Sequence, residues 1–230
     1  MLNLDILLHG FHSLFTTFYF LFSTPCPMKP TSIEIIAQLK SSGHQAYWAG
    51  GCVRDMLLGV LPKDYDIATD AKPEDIKKIL DKTIPIGEQF GVILAEKNGH
   101  HFEVATFRSD SGYSDGRRPD AVTFTHAEED AKRRDFTING IFYDPIEDKV
   151  LDFVKGQQDL DAHLVRFIGD PDTRIKEDHL RIMRAIRFKN TLKGVEGEPF
   201  QYHPDTFNAV KRNSALISKV SGERIRDELN

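Results

Sequence analysis

Two glycines and three acidic side chains carry much of the chemistry this sequence offers. Gly50-Gly51 is followed by Cys52-Val53-Arg54-Asp55, and about a dozen residues later by Asp64-Tyr65-Asp66. Adjacent glycines after a strand let a backbone approach a triphosphate closely, its amide donors facing the phosphate oxygens, and Arg54 would add a charged donor. Residues two apart on a strand share a face, so Asp64 and Asp66 point one way and Tyr65 the other. Two parallel carboxylates at that spacing can hold Mg²⁺. A lone pair of aspartates reads as an exposed edge strand or turn; the upstream Gly-Gly turns the reading toward a metal and triphosphate site. Glu103 is the third acid, on a strand face shared with Ala105 and Phe107. An acid on an apolar face costs several kcal/mol without a partner, which a metal ion would supply. A solvent-exposed face is the other reading.

A second group lies further along. At 100° per residue on a helix, Glu177, Asp178, Arg181 and Arg184 fall within one face, with Ile182, Met183 and Ile186 opposite. Residues 173–193 hold seven basic residues and two acidic ones, whereas the whole chain has 30 Lys and Arg against 35 Asp and Glu, a net charge of -5. Bulk charge therefore does not draw a nucleic acid to this chain, and any such contact must come from a local basic patch. For an isolated helix the plain reading is a solvated face with Asp178 and Arg181 paired at i, i+3.

These residues need a frame. Ser32 can cap a helix carrying Ile33, Ile35, Ile36 and Leu39 that ends near Gly43. Ala46–Ala49 reads as a short strand running into Gly50-Gly51, and 65–69 as a second. Pro73 suits the first turn of a helix over 74–80. Segments 92–96 and 102–107 flank Asn98-Gly99, a strong hairpin signal. Residues 109–119, rich in Ser, Gly and Asp, read as a mobile loop, and from about Leu160 strands give way to helical periodicity. The pattern predicts an α/β (α+β) fold: a small mixed sheet with helices over 28–160, then a helical segment over 161–230. The 40% hydrophobic and 28% charged composition is that of a soluble globular chain. Two cysteines, Cys26 and Cys52, are too few for a disulfide framework and point to a reducing compartment, the cytoplasm. Residues 1–27 contain five of the 16 phenylalanines, no Lys or Arg and one acid, Asp5. They read as an extension upstream of a start at Met28, or as an anchor or export signal; no stable membrane association is expected, because polar residues interrupt the run.

Gly-Gly, Asp-x-Asp and a strand acid in this order resemble the polymerase-β-like nucleotidyltransferases. Arg133-Arg134-Asp135-Phe136-Thr137-Ile138-Asn139 is similar to the RRDFTxN motif of the class II branch, the bacterial tRNA CCA-adding enzymes and poly(A) polymerases. Glu177-Asp178-His179-Leu180-Arg181 matches that branch's EDxxR motif, and Ser221 to Leu229, SGERIRDEL, is similar to an element of its neck. The resemblance covers about residues 30–230 and implies a catalytic head at 28–160 followed by a helical neck at 161–230, ending before body and tail. It implies phosphoryl transfer from CTP or ATP to an RNA 3′-hydroxyl, most simply the tRNA 3′ end. Asp64 and Asp66 would hold two Mg²⁺ roughly 3.5 to 4 Å apart, with Glu103 completing the acidic cluster. Gly50, Gly51, Arg54, Arg134, Glu177, Arg184 and Arg187 would bind nucleotide, and Asp135 the ribose.

Asp178 and Arg181 would then select the base. Cytosine and adenine present an amino donor beside a ring-nitrogen acceptor, whereas uracil and guanine present a carbonyl beside N–H. A carboxylate only accepts and a guanidinium only donates, so the pair suits C and A. The loop at 109–119 would correspond to the family's flexible loop, which fits CCA or A addition. Poly(A) addition is the nearest alternative, and an inert nucleotide- or RNA-binding head another.

Overall fold

The computed structural model describes residues 28–229. Helix α1, Met28–Ser41, buries Ile35, Ile36 and Leu39. It begins upstream of the expected cap, since Pro30 is tolerated in a first helical turn. Ser32 is therefore inside the helix, where its buried hydroxyl donates to Lys29 O and accepts from the Trp48 indole N–H. Strand β1, Ala46–Ala49, runs straight into helix α2, Gly51–Leu57. Gly50 at the junction has φ 74°, a conformation glycine adopts without strain.

Strand β2 is shorter than expected, Ile67–Thr69, so Asp64 and Asp66 precede it. The Asp66 carbonyl accepts from Ala49 N–H at 3.0 Å, while Tyr65 packs into the core against Trp48. Helix α3, Pro73–Ile79, leads to strand β3, Thr83–Gly87, and to a hairpin of β4, Val92–Lys97, and β5, His100–Thr106. Its turn has Asn98 at φ 53° and Gly99 at φ 77°, the paired left-handed residues of the expected two-residue turn.

Residues 109–119 are not wholly loop. Strand β6, Arg108–Ser111, pairs antiparallel with β7, Ala121–Phe124. Period-2 pairing there escaped the sequence reading because Ser, Asp and Arg carry little apolar signal. Helix α4, Ala127–Arg133, follows, then strands β8, Ile141–Asp144, and β9, Lys149–Asp152. The main sheet has the order β3-β4-β5-β2-β1-β8-β9, with β2–β5 its parallel pair.

Helix α5, Gly156–Asp161, and strand β10, Leu164–Val165, lead to helices α6, Pro171–Glu177, and α7, Arg181–Thr191. The single helix expected here is broken at 178–180: Asp178 leaves helical geometry at φ -143°, ψ 109° and its carboxylate caps Leu180 N–H. Strands also persist past 160, since β11, Gln201–Tyr202, pairs parallel with β10. Helices α8, Pro204–Asn213, and α9, Gly222–Leu229, complete the described chain. One hydrophobic cluster runs from Ile35 through Trp48, Val104, Phe136 and Phe188 to Ala209. Among the described residues no helix is long and apolar enough to cross a membrane. The expectations for residues 1–27 lie outside the described residues.

Candidate active site

The two faces of the sheet divide the labour. Trp48, Ile67 and Val104 face the main core, while Tyr47, Ala49, Ala68 and Ala105 turn to the other side. Carrying the parallel β2–β5 register back one residue from Ile67–Val104 brings Asp66 beside Glu103 on that second side. Asp64, Asp66 and Glu103 line the acidic end of an open cleft of about 820 Å³. Glu103 is exposed to the cleft, whereas Phe107 further along the same side is buried in the second apolar cluster.

Burial, together with the neighbouring Asp64 and Glu103 charges, pushes the Asp66 carboxyl up to about 6, against the pull of Arg134. Desolvation is the larger cause and the like charges of the two neighbours the smaller. Among the described residues no group of three or more His, Cys, Asp or Glu stands close enough to hold a metal ion. A Mg²⁺ site needs no such group, since that ion is commonly bound by one or two carboxylates plus waters and substrate phosphates. Asp64 and Asp66 fit it on donor chemistry.

Gly50 makes the turn between β1 and α2, and Gly51 opens the helix. A Cβ on Gly50 would stand 3.0 Å from Arg134 Nη1, so glycine here also leaves room for that guanidinium. Arg54 donates to Asp55 through Nε and Nη2 and to Asn139 Oδ1 at 2.8 Å through Nη1. The buried Asp130 carboxylate receives Arg133 and Arg134, the latter at 3.0 Å, and Arg134 lies over the Phe142 ring. Burial alone would raise Asp130, but Arg134 and Arg133 hold it below its ordinary value.

The opposite wall is basic. Arg181, Arg184 and Arg187 project from α7, which is anchored by buried Phe188; Arg54, Arg184 and Arg187 all lie within about 5 Å of that ring. Arg181 does not pair with Asp178. Its Nη1 donates to Glu177 at 2.5 Å and to Arg174 O at 2.9 Å, and the helix break explains why: Asp178 has left the α6 spiral. Glu177 thereby turns away from the cleft wall and holds Arg181 from behind. Asp135 accepts from Phe136 N–H and Asn139 through Oδ1 and from Arg184 Nε at 2.7 Å through Oδ2. Burial would raise its carboxyl, yet Arg184 and Asn139 hold it low.

Every nucleotide- or metal-binding residue expected from the sequence lines this one cleft except Glu177. Sequence reasoning missed Arg108, Lys63 and Arg224 among its lining, and Asp130 behind it. Arg224 lies inside the quoted SGERIRDEL stretch, but nothing in its spacing shows that it reaches across 46 residues to Asp178.

A mixed sheet, a Gly-Gly turn, an acidic rim and a facing arginine wall thus surround one cleft. Residues 46–166 match the family described as "Poly A polymerase head domain", and the chain belongs to it. Residues 199–230 match "Probable RNA and SrmB- binding site of polymerase A". The CCA-adding enzyme of Lactobacillus johnsonii is 43% identical over 198 residues, 86% of this chain and 48% of that protein. That of Geobacillus stearothermophilus is 42% identical over 206 residues, 88% of this chain and 49% of its own. A crystal structure of the Bacillus stearothermophilus CCA-adding enzyme with CTP superposes with a TM-score of 0.77 at 40% identity, covering 88% of this chain and 48% of that one. A tRNA nucleotidyltransferase with a primer tRNA and an incoming ATP analog gives 0.67 at 26% identity, over 85% of this chain and 54% of the other. The chain thus spans about half the length of the relatives it matches.

Proposed function

We propose that this chain is the nucleotidyl-transferring half of a tRNA-maturing enzyme that adds C, C and A to an RNA 3′ end from CTP and ATP. What supports this most is the convergence, in one cleft, of the acidic rim at Asp64, Asp66 and Glu103 with the Asp178–Arg181–Arg184–Arg187 wall. In this reading the RNA 3′-oxygen bonds to the α-phosphorus, the bond to the leaving pyrophosphate breaks, and the hydroxyl proton passes to water in the open cleft.

Asp64 and Asp66 would hold Mg²⁺, which when bound lowers the pKa of the attacking hydroxyl and neutralises charge on the triphosphate. The Gly50-Gly51 backbone, Arg54 and Arg134 would position the phosphates, so that orientation and charge stabilisation carry most of the rate. Asp178 accepts the amino group of C or A, and Arg181 donates to the ring nitrogen. Arg181 spends only Nη1 on protein partners, leaving Nη2 and Nε for the cleft. Asp135, which holds Arg184 in place through Oδ2 and keeps about one acceptor position open, serves the ribose. Residues 28–160 act as the catalytic head and 161–230 as the neck, working in the cytoplasm.

Steady-state use of the four triphosphates with a tRNA lacking its 3′ end tests this. Arg181→Ala weakens CTP and ATP use, and Asp178→Ala relaxes discrimination against UTP and GTP, each by a factor of about 10 to 150, the worth of one hydrogen bond to a charged group. Equal loss on all four in both variants, or no change in either, overturns the base-selection reading.

A further inference from the structure

Arg224 of α9 reaches back into the cleft and brackets the Asp178 carboxylate. Its Nη1 donates to Oδ1 at 3.2 Å and its Nη2 to Oδ2 at 3.0 Å. Oδ1 also accepts from Leu180 N–H at 3.0 Å. An ionised carboxylate offers about four acceptor positions. Three are filled, which leaves room for about one further donor.

The remaining geometry shows why that clamp matters. Asp178 sits at the break between α6 and α7, in extended conformation, where no helix constrains its side chain. One turn beyond Arg224, Glu228 meets Arg184 at 3.4 Å. It also stands 2.7 Å from Arg187 Nε, close enough for an ion pair but not aligned as a hydrogen bond. Helix α9 thus lays Arg224 onto Asp178, just ahead of α7, and Glu228 onto Arg184 and Arg187 within it. Its sequence falls within the segment matched as an RNA-binding site, yet Arg224 itself lines the nucleotide cleft.

We infer that Arg224 is a positioning residue for base selection. It fixes Asp178 so that the one open acceptor position meets an exocyclic amino group, and a uracil or guanine carbonyl meets a fixed acceptor it cannot use. This rests on the base-selection reading above. Without the guanidinium fork the carboxylate swings aside, and the mismatch against carbonyls weakens. A lysine keeps the charge but not the two-point hold.

The test is equilibrium binding of CTP, ATP, UTP and GTP, with Mg²⁺ present, to the full chain and to Arg224→Ala, Arg224→Gln, Arg224→Lys and Glu228→Gln. Circular dichroism checks the fold of each. In Arg224→Ala and Arg224→Gln the CTP-to-UTP affinity ratio falls about tenfold, the worth of one weakened charged hydrogen bond. Arg224→Lys falls by less. Glu228→Gln weakens all four nucleotides together and leaves the ratio intact, because Glu228 touches Arg184 and Arg187 but not Asp178. An unchanged ratio in folded Arg224→Ala overturns the inference and leaves base selection by Asp178 standing; if that variant does not fold, Arg224→Gln decides in the same way. A parent chain that binds CTP and UTP alike overturns both, and does so before any substitution is made.

Discussion

Asp66 lines the cleft, exposed to solvent at its edge with protein packed around the rest, and has two other carboxylates for neighbours. Its folded pKa, about 6, lies above the ordinary 3.8, so the folded protein takes up a proton that the unfolded chain does not hold between those values. Stability from this group is fully present below about pH 4 and is lost as pH rises through about 6. In EDTA, Asp66→Asn should therefore melt higher than the parent at pH 7.5, with the gap closing as pH falls toward 4. The same variant should lose more than about 100-fold of nucleotide incorporation, a residue of this kind acting through metal-held charge. A lower melting temperature at pH 7.5 would contradict the crowding described for Asp66. At this scale the residues singled out by type, Gly50, Asp64, Asp66 and Asp178, do line one cleft, although Asp64 and Asp66 lie outside the strand, and Asp178 outside the helix, on which their spacing was read. The sequence was silent where a role depends on tertiary reach. Asp130 looks like one more surface acid of α4, and only its 2% exposure and its grip on Arg133 and Arg134 reveal a buried anchor.

Elements place these residues through a few tight approaches. Helix α5 packs against the turn that follows Asp135, and Gly156 makes that contact possible. A Cβ there would lie 2.3 Å from Thr137 O and 2.5 Å from Ile141 Cγ1. Gly156→Ala should cost about 1 to 3 kcal/mol as overpacking against backbone, a fall in melting temperature of about 2 to 12 °C for a chain of this size. An unchanged melting curve would show that α5 is free to shift. The elements that were legible had strong local signals: the Asn98-Gly99 hairpin, the β1 strand and the Pro73 helix start. The break between α6 and α7 was not, because the apolar spacing from Ile175 to Ile182 and Ile186 continues across the EDxxR motif while the backbone turns at Asp178. Pairing of β6 with β7 was hidden by polar residues, and β10 with β11 by their two-residue length.

The described molecule has a core that does not stop at the expected boundary between head and neck. Trp48, the sole tryptophan, is 1% exposed in the same cluster as Phe188, Phe200 and Ala209. Its emission and the far-UV circular dichroism should follow one urea transition with a common midpoint. Two separated midpoints would mean that the neck unfolds independently of the sheet. The net charge of -5 and the arginine-lined cleft are reconciled at this scale, since acids elsewhere on the surface outweigh a local basic wall. The central claim, that one cleft serves C and then A, is tested most directly by incubating the purified chain with Mg²⁺, radiolabelled CTP and ATP, and a tRNA lacking its 3′ end, and then reading the products on a sequencing gel. The account predicts extension by C, C and A with arrest after the third nucleotide, and none with Asp64→Ala. A long ladder of A residues, or extension that survives Asp64→Ala, would contradict it.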